Sequence, residues 1–526
     1  MTVLYLERRT YMMPIKKMLL LLLALLMTLS VFTACNTAEP DSKETDTETA
    51  TETETDSVTA EQETTTEEDT TPSSVLDGVK FNGEILHVFS WTPTNIVEHV
   101  EELTEESTLI DQAVFNRCDY AETRLNVKTQ WEQYPMQPEY DPEFIETIDR
   151  ENSNGGKYDL VVNVSKFAHA LTTRGVYSNL NRYEYLDFDH PAWPASLLKD
   201  VTVGDKLYFA TGDISTNLVF MTSVVFFNKD LVKDLTINEK IQAKWGEKDL
   251  YDLVTKGRWT LDKMLTLCEE THLDRGAPGK TVGDRFGLST YGDLIDNFYY
   301  GGGYTTIVVE DGGFTVSPDF INPELVGKIL SQVNEFFYDT PDGSFASGPS
   351  AAWDAFGNGE VLFSLAPASH AYQRHANNEA LNYSVLPVPK HSESQESYAC
   401  TQSFPYSMYG ICSQSKYTKI AAAFIQALAE ESYEVTRPAL FDKLMKGRYA
   451  EDPEDAEMWE YAVAANVFDV GRIFSGAFGE QNLTVSLFKS RINSDNDNWS
   501  QALGTNVVSL TIYASQLAGE ILALPD

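Results

Sequence analysis

Residues 158–165, YDLVVNVS, decide the fold. The run is apolar on successive positions instead of alternating, which is typical of a parallel strand covered by helices on both faces. Two strand-like runs precede it, GEILHVFSW at 83–91 and LNVKTQWEQY at 125–134, and helical segments beginning near Ser107 and at Pro142 separate the three. Strands alternating with helices predict an α/β fold, in which ligands bind beyond the carboxyl ends of the strands.

The same alternation continues along the chain. Residues 204–215, GDKLYFATGDIS, predict a hairpin or a short strand with an acidic turn, and residues 223–235, SVVFFNKDLVKDL, predict a strand leading into a helix. Residues 257–270 predict a further helix. A second α/β unit begins near residue 286, with predicted helices at 323–338, 350–357 and 419–432 and predicted strands at 360–367, 382–390 and 407–413. No repeat or internal linker divides this part, which favours two lobes that the chain crosses more than once.

The amino terminus has the pattern of an export signal. Lys16 and Lys17 precede the apolar run 18–32, and Thr33-Ala34 form a small-residue cleavage site, so residues 1–34 are predicted to be a signal peptide whose translation begins at Met12 or Met13. The run is shorter than the about 20 apolar residues of a membrane-spanning helix.

Cys35 follows this signal directly, and the junction resembles a bacterial lipobox, although Phe32 stands where that motif usually has Leu. The resemblance implies a diacylglyceryl anchor on Cys35, and two acyl chains hold a protein durably on a membrane. Ordinary secretion with an unrelated cysteine is the alternative.

Residues 35–74 predict a disordered tether. Between 36 and 74 the chain has thirteen Thr, thirteen acidic residues and one Lys, with no aromatic residue. Such a composition cannot bury enough apolar surface to offset the entropy of ordering, and its like charges extend it. The tether would hold a folded domain, residues 75–526, away from the membrane.

Composition narrows the partners and the redox chemistry. The chain has 526 residues and a formal net charge of −40, which argues against nucleic acid as a partner. An aromatic share of 12% suits a neutral polyhydroxylated ligand. Cys118 and Cys268 fall at helical spacing among apolar residues and are expected in the core, whereas Cys400 and Cys412 could be either bridged or free.

Motifs of catalysis are missing from the sequence. We find no HExxH, no GxSxG, no phosphate-binding loop and no GxGxxG after a strand, and His370 and His375 are five residues apart, which suits one helix face poorly. A glycosidase-like carboxylate pair stays open because acidic residues are abundant. We therefore predict no catalytic residue, no metal and no cofactor.

Several phrases, in this order along residues 80–480, resemble the extracellular solute-binding proteins of carbohydrate ABC importers: YDLVV, GDKLYFATGDIS, VVFFNKDLVKD, GRWTLDKM, YSVLPVPK and AAAFIQALAEESYEVTRPALFDKLMKGRYAED. The resemblance implies a two-lobe periplasmic-binding-protein-like clamp with a hinge and an interlobe cleft. It implies a lipid-anchored monomer on the extracellular face of the cell membrane that delivers a mono- or oligosaccharide to an ABC permease. A surface enzyme acting on glycans and a sensory or adhesive sugar-binding lipoprotein are the alternatives.

Many members of that family carry a calcium-like loop before the phrase that here reads FGL. In this chain the loop, residues 273–288, offers Asp274 and Asp284 but has Arg275, Pro278 and Lys280 where oxygen ligands would be needed. We expect no calcium site there.

Eight residues are predicted to contact the ligand, and structural alternatives stand beside the rings, Asp213 and Arg374. Aromatic rings would stack on a sugar face, while amides, carboxylates and guanidinium groups would bind hydroxyls. Trp91 and Asn163 follow predicted strands, Trp193 lies between prolines, Trp353 is on a helix and Tyr406 and Tyr409 adjoin a strand expected to cross between lobes. Packing in the core is the alternative for the rings, a backbone turn for Asp213, and an ion pair for Arg374. The predicted ligand-binding residues are Trp91, Asn163, Trp193, Asp213, Trp353, Arg374, Tyr406 and Tyr409.

Overall fold

The computed structural model describes residues 74–93, 97–134, 142–276, 283–339, 349–373 and 381–525. The predicted signal peptide, Cys35, almost all of the tether and Arg374 lie outside these residues. No helix in the described ranges is long and apolar enough to span a membrane.

The described residues include twelve strands, which form the sheets. They are β1 Ile85–Trp91, β2 Lys128–Tyr134, β3 Leu160–Val164, β4 Ser223–Asn228, β5 Phe286–Ser289, β6 Ile307–Glu310, β7 Gly313–Val316, β8 Val361–Pro367, β9 Tyr383–Leu386, β10 Cys400–Thr401, β11 Ser407–Ile411 and β12 Asn466–Val467.

Helices connect and cover these strands. They are α1 Leu109–Leu125, α2 Pro142–Ser153, α3 Ala168–Thr173, α4 Ala195–Val201, α5 Lys229–Asp234, α6 Ile237–Trp245, α7 Leu250–Thr255, α8 Leu261–Glu269, α9 Asn297–Tyr300, α10 Pro323–Asn334, α11 Pro349–Gly357, α12 Ser369–Gln373, α13 Thr418–Glu431, α14 Pro453–Ala464, α15 Val470–Ile473, α16 Leu483–Asn493 and α17 Trp499–Ala523. Short 3₁₀ turns lie at Ser165–Phe167, Leu180–Arg182, Val219–Met221, Gly292–Asp296 and Ser475–Ala477, and π-helical turns at Glu335–Asp339, Ser432–Thr436 and Pro438–Lys446.

The first lobe is built on a four-stranded sheet in the order β11-β3-β1-β2. Strand β1 pairs in parallel with β2 and β3, as the alternating strands and helices predicted, and β11 joins antiparallel to β3. Helix α1 begins with a capping box, in which Thr108 and Asp111 each satisfy a backbone N–H of the other, and ends at Asn126 in the left-handed conformation. These local signals place the helix between β1 and β2.

The second lobe is built on another four-stranded sheet, in the order β5-β8-β4-β9. Strand β4 is antiparallel to both β8 and β9, whereas β5 is parallel to β8. All six residues of β4 are buried, because helices and loops cover both faces of this strand. Two mixed α/β lobes are the architecture that the sequence predicted.

Three connections join the lobes. Residues 212–222 lead from the first lobe to β4, residues 402–406 lead from β10 back to β11, and residues 432–452 lead from α13, which packs on α1, to α14, which packs on β9. The first two connections run side by side, since Thr222 pairs antiparallel with Gln402. Multiple crossings explain why no single linker is visible in the sequence.

Two local predictions need correction. The hairpin predicted within residues 204–215 is reduced to a tight turn in which Val203 bridges Lys206, and Ala210 bridges Tyr409 of β11. The strand at 407–411 does not cross between lobes, since it lies in the first sheet and the crossing ends just before it.

No cysteine in the described part of the chain forms a disulfide, and all of them are buried: Cys118, Cys268, Cys400 and Cys412. Core positions for Cys118 and Cys268 are confirmed. The Cys400 sulfur accepts a hydrogen bond from the backbone N–H of Val388 at 3.3 Å, and burial raises the pKa of this thiol to about 12. The thiols therefore act as small apolar side chains.

Candidate functional site

The segments that follow the carboxyl ends of β3, in the first lobe, and β5, in the second lobe, lie near each other. In the first lobe, β3 runs into the 3₁₀ turn Ser165–Phe167. In the second lobe, β5 leads to Tyr291, which directly precedes the 3₁₀ turn Gly292–Asp296. Helix α15 packs against the first of these turns, while its Arg472 binds Asp296 in the second lobe with 2.6 Å between Nη1 and Oδ2. The carboxyl ends of parallel strands are where α/β sheets bind ligands. The candidate site is therefore this interlobe region.

Tyr291 is an aromatic residue of this region that a ligand could contact. Its side chain is only partly buried, and its hydroxyl lies 3.1 Å from Nε2 of His370. The two rings are nearly parallel, with 15° between their planes, and the Trp353 ring abuts His370 with its edge. Because His370 and Trp353 are buried, they fix the orientation of the Tyr291 ring.

A charged group adjoins Tyr291. The Lys489 ammonium contacts the Asp293 carboxylate, and 27% and 39% of these two side chains are exposed. Burial alone would raise the pKa of Asp293, but the surrounding cations outweigh it and hold this pKa below its usual value. Lys166, which follows β3 in the first lobe, is one of those cations. Charges from both lobes thus meet beside Tyr291.

A cavity of about 260 Å³ lies beside the first and third connections. In it Asp213 Oδ1 is 3.4 Å from Arg437 Nε. Burial raises the pKa of Asp213 to about 6, and Arg437 offsets only part of that effect. The cavity is lined by Pro191, Ala192, Pro194, Gly212, Asp213, Ser215, Leu218, Val219, Arg437, Leu440, Val463, Ala464, Asn466 and Phe468. Of the residues predicted from the sequence, Asp213 is the one that lines this cavity.

Trp91 and Asn163 lie inside the first lobe. Trp91 is 2% exposed and donates its indole N–H to Ser407 Oγ at 2.9 Å. Asn163 is fully buried and donates to the Tyr177 hydroxyl at 3.3 Å. Both side chains make the contacts of core residues, which was the alternative stated for the Trp91 ring. Their contact with a ligand remains an untested prediction.

Trp193 and Trp353 are also buried. Trp193 donates its indole N–H to Gln426 Oε1 at 3.3 Å and packs edge-on against Phe188. Trp353 packs against Phe226, with 5.2 Å between ring centroids. Trp193 lies in a loop, yet the loop folds onto α13, so its ring is covered. Trp353 reaches the candidate site only through His370.

Tyr406 and Tyr409 differ in their surroundings. Tyr406, the last residue of the second connection, is buried and stacks 6.4 Å from Phe404, with its ring 6.5 Å from that of Phe468 in the cavity wall. Tyr409 is buried within β11 and donates its hydroxyl to Glu98 Oε2 at 2.8 Å. Tyr406 is thus near the cavity, whereas Tyr409 belongs to the interior of the first lobe.

No group of three or more His, Cys, Asp or Glu side chains that could hold a metal ion occurs among the described residues. In the loop that resembles a calcium site, Asp274 and Asp284 accept hydrogen bonds from the backbone N–H groups of Gly276 and Arg275 at 2.6 and 2.9 Å. These two carboxylates therefore stabilise turns.

Sequence reasoning missed Tyr291, Arg437 and Phe468. Tyr291 lies close to the predicted start of the second α/β unit and just after β5, a position where α/β sheets bind ligands. Arg437 and Phe468 are distant from Asp213 in the chain, and nothing in the sequence pairs them.

The family model for bacterial extracellular solute-binding proteins matches residues 107–435, more than half of the chain. The chain belongs to this family. No curated protein matches the sequence of this binding protein.

Solved structures show the same fold at low identity. A cyclo/maltodextrin-binding protein complexed with maltotetraose is 15% identical, with a TM-score of 0.53, over 82% of this chain and 97% of that one. The extracellular solute-binding protein from Staphylococcus aureus in complex with maltose is 12% identical, with a TM-score of 0.52, over 82% and 98%. An ABC substrate-binding protein from Listeria monocytogenes in complex with cycloalternan is 14% identical, with a TM-score of 0.51, over 84% and 100%. The binding protein thus has a two-lobe binding-protein fold.

Proposed function

We propose that this binding protein captures a carbohydrate outside the cell and delivers it to an ABC permease. Family membership supports capture of a solute. The three structural neighbours named above were each solved with a saccharide, which favours the same ligand class here.

The observation that carries the ligand class is the Tyr291 ring. A sugar has a face of C–H groups that packs on an aromatic ring, and hydroxyls that need hydrogen-bonding groups nearby. Tyr291 is partly exposed at the end of β5, is held parallel to His370, and has Asp293 and Lys489 beside it. An aromatic face next to charged donors and acceptors suits a polyhydroxylated ring.

The proposal includes a monomer that releases its ligand unchanged and is held on the extracellular face of the membrane by a lipid on Cys35. The lipobox-like junction and the acidic tether support the anchor. A thiol that carries two acyl chains is an attachment point and takes no part in binding.

A thermal-shift screen of the full chain over neutral mono- and oligosaccharides tests the proposal. A ligand that binds only the folded form raises the melting temperature, by an amount set by concentration and Kd. We expect one saccharide group to raise it and chromatography to recover that saccharide intact. Absence of any shift over the whole panel would reject a carbohydrate ligand, and formation of smaller sugars would favour the glycan-enzyme alternative.

A further inference from the structure

Glu98 lies in the loop after β1 and is a fully buried carboxylate with an unusual number of partners. Its oxygens accept hydrogen bonds from Arg117 Nη2 at 3.0 Å, Tyr409 hydroxyl at 2.8 Å, Thr216 N–H at 3.2 Å, Asn217 Nδ2 at 3.2 Å and Ser215 hydroxyl at 3.5 Å. A buried carboxylate is stable only when such donors compensate its lost hydration. Each donor therefore contributes to holding the charge.

Arg117, on α1, adds further hydrogen bonds to those that Glu98 makes. Its guanidinium donates to the carbonyl of Ile214 at 2.5 Å, to the carbonyl of Glu98 at 2.7 Å and to Ser432 Oγ at 3.2 Å. Only 1% of the side chain is exposed. The planar guanidinium can donate in several fixed directions at once, which a lysine cannot do.

The partners of this ion pair come from the first and third interlobe connections and from β11, the strand that the second connection enters. Residues 214–217 begin the first connection, Tyr409 lies three residues after the second, and Ser432 is the first residue of the third. These segments are far apart in sequence, and all of them donate to or accept from this one ion pair. The ion pair is therefore the place where the ends of the connections in the first lobe meet.

We infer that the Glu98–Arg117 pair positions the hinge, because it holds the first-lobe ends of the three connections as one rigid base. When the lobes open, the connections bend beyond this base. If one of the segments 214–217, 407–411 and 432–436 moved away, the buried ion pair would lose a hydrogen-bond partner, and the contacts of the other segments with that pair would weaken. Coupled hydrogen bonds around a buried charge respond together. The inference goes beyond ligand capture, and its test needs no ligand, so it can fail while the proposed function stands.

Hydrogen exchange of the ligand-free full chain, followed by mass spectrometry, tests this positioning role. In Glu98→Gln we expect amides in 214–217, 407–411 and 432–436 to exchange at least about tenfold faster together, since a charged hydrogen-bond acceptor is lost. Amides of β4, in the second lobe, should change by less than about threefold.

A matched control breaks a different buried ion pair. Asp455 is 1% exposed and lies 2.6 Å from Lys229 Nζ in the second lobe. Asp455→Asn is compared with Glu98→Gln under conditions in which both variants have lost the same amount of global stability. In Asp455→Asn, residues 214–217, 407–411 and 432–436 should keep their wild-type exchange rates. If Asp455→Asn accelerates them as much as Glu98→Gln does, the pair has only a general stabilising role and the inference is wrong.

A milder variant decides the matter should Glu98→Gln fail to fold. Tyr409→Phe removes a single hydroxyl donor from Glu98. We expect faster exchange in 214–217 and 432–436 as well as in β11, although neither segment contains the substitution. Acceleration confined to β11 would overturn the inference.

Discussion

Tyr291 and His370 lie face to face, with 6.0 Å between ring centroids and 3.1 Å between the Tyr hydroxyl and the His Nε2. The histidine is buried, so the tyrosine is held from beneath while part of its ring stays accessible. A ring with a fixed orientation loses little conformational entropy when it contacts a ligand.

Tyr291→Ala should weaken binding of the saccharide identified in the screen by about ten- to hundredfold, the effect of losing an aromatic contact worth about 1 to 3 kcal/mol. Isothermal titration measures the change. Tyr461→Ala is the matched control, because Tyr461 is also partly buried but packs against Tyr398. Equal binding by both variants and the wild type would remove Tyr291 from the site.

Trp193→Ala should lower the free energy of unfolding by about 3 to 5 kcal/mol, because it empties a buried site and leaves Gln426 without its indole partner. Trp193→Phe should cost less, since most of the volume remains. Urea unfolding measures both. A Trp193→Ala protein of wild-type stability that binds sugar more weakly would restore Trp193 as a ligand contact.

Asp213→Asn should change how stability depends on pH. Because the native pKa of Asp213 is raised to about 6 from an ordinary value of 3.8, the folded protein binds more protons than the unfolded chain between these values. Stability therefore falls as pH rises through this window. At a pH above this window, the ionised Asp213 lowers the free energy of unfolding by at most roughly 3 kcal/mol. The actual loss is smaller than this limit, because the carboxylate keeps some contact with water.

The asparagine variant lacks this penalty, so its stability relative to wild type should increase between pH 4 and 7. Urea titrations of both proteins across that range measure the difference, in which other titrating groups cancel. Parallel curves for the two proteins would show that Asp213 titrates normally.

Arg472→Met should destabilise the protein by about 3 to 5 kcal/mol, because it leaves the buried Asp296 carboxylate without its cation. The double variant Arg472→Met with Asp296→Asn should recover part of this loss, since it no longer buries a lone charge. A double-mutant cycle in urea measures the coupling. A single-variant cost below about 1 kcal/mol would contradict the expectation.

Cys35→Ala should release the binding protein into the medium or leave it unprocessed, because the proposed lipid has no other attachment site. Cell fractionation and intact-mass analysis measure both outcomes. Its affinity for the ligand should not change. A fully processed variant that stays on the membrane would reject the lipid anchor.

The order of strands and helices could be predicted because it depends on local patterns. The apolar run of β3 and the helix predicted from near Ser107 depend on short-range signals, and the structure confirms both. The fate of the tryptophans depends on residues far away: Trp91 bonds to Ser407, 316 positions later, and Trp193 to Gln426, 233 positions later. The local sequence around an aromatic residue therefore predicts the element on which the residue lies, but it does not predict whether the ring is exposed.

The buried thiols in the described part of this chain can report where the protein opens during unfolding. Burial raises the pKa of Cys118 to about 11 and that of Cys400 to about 12, and a protonated, covered thiol does not react with alkylating reagents. Each becomes reactive only when its surroundings open. Because Cys118 lies in α1 of the first lobe and Cys400 in β10 beside the second connection, pulse alkylation followed by peptide mapping would time the opening of these two regions separately in the native sequence.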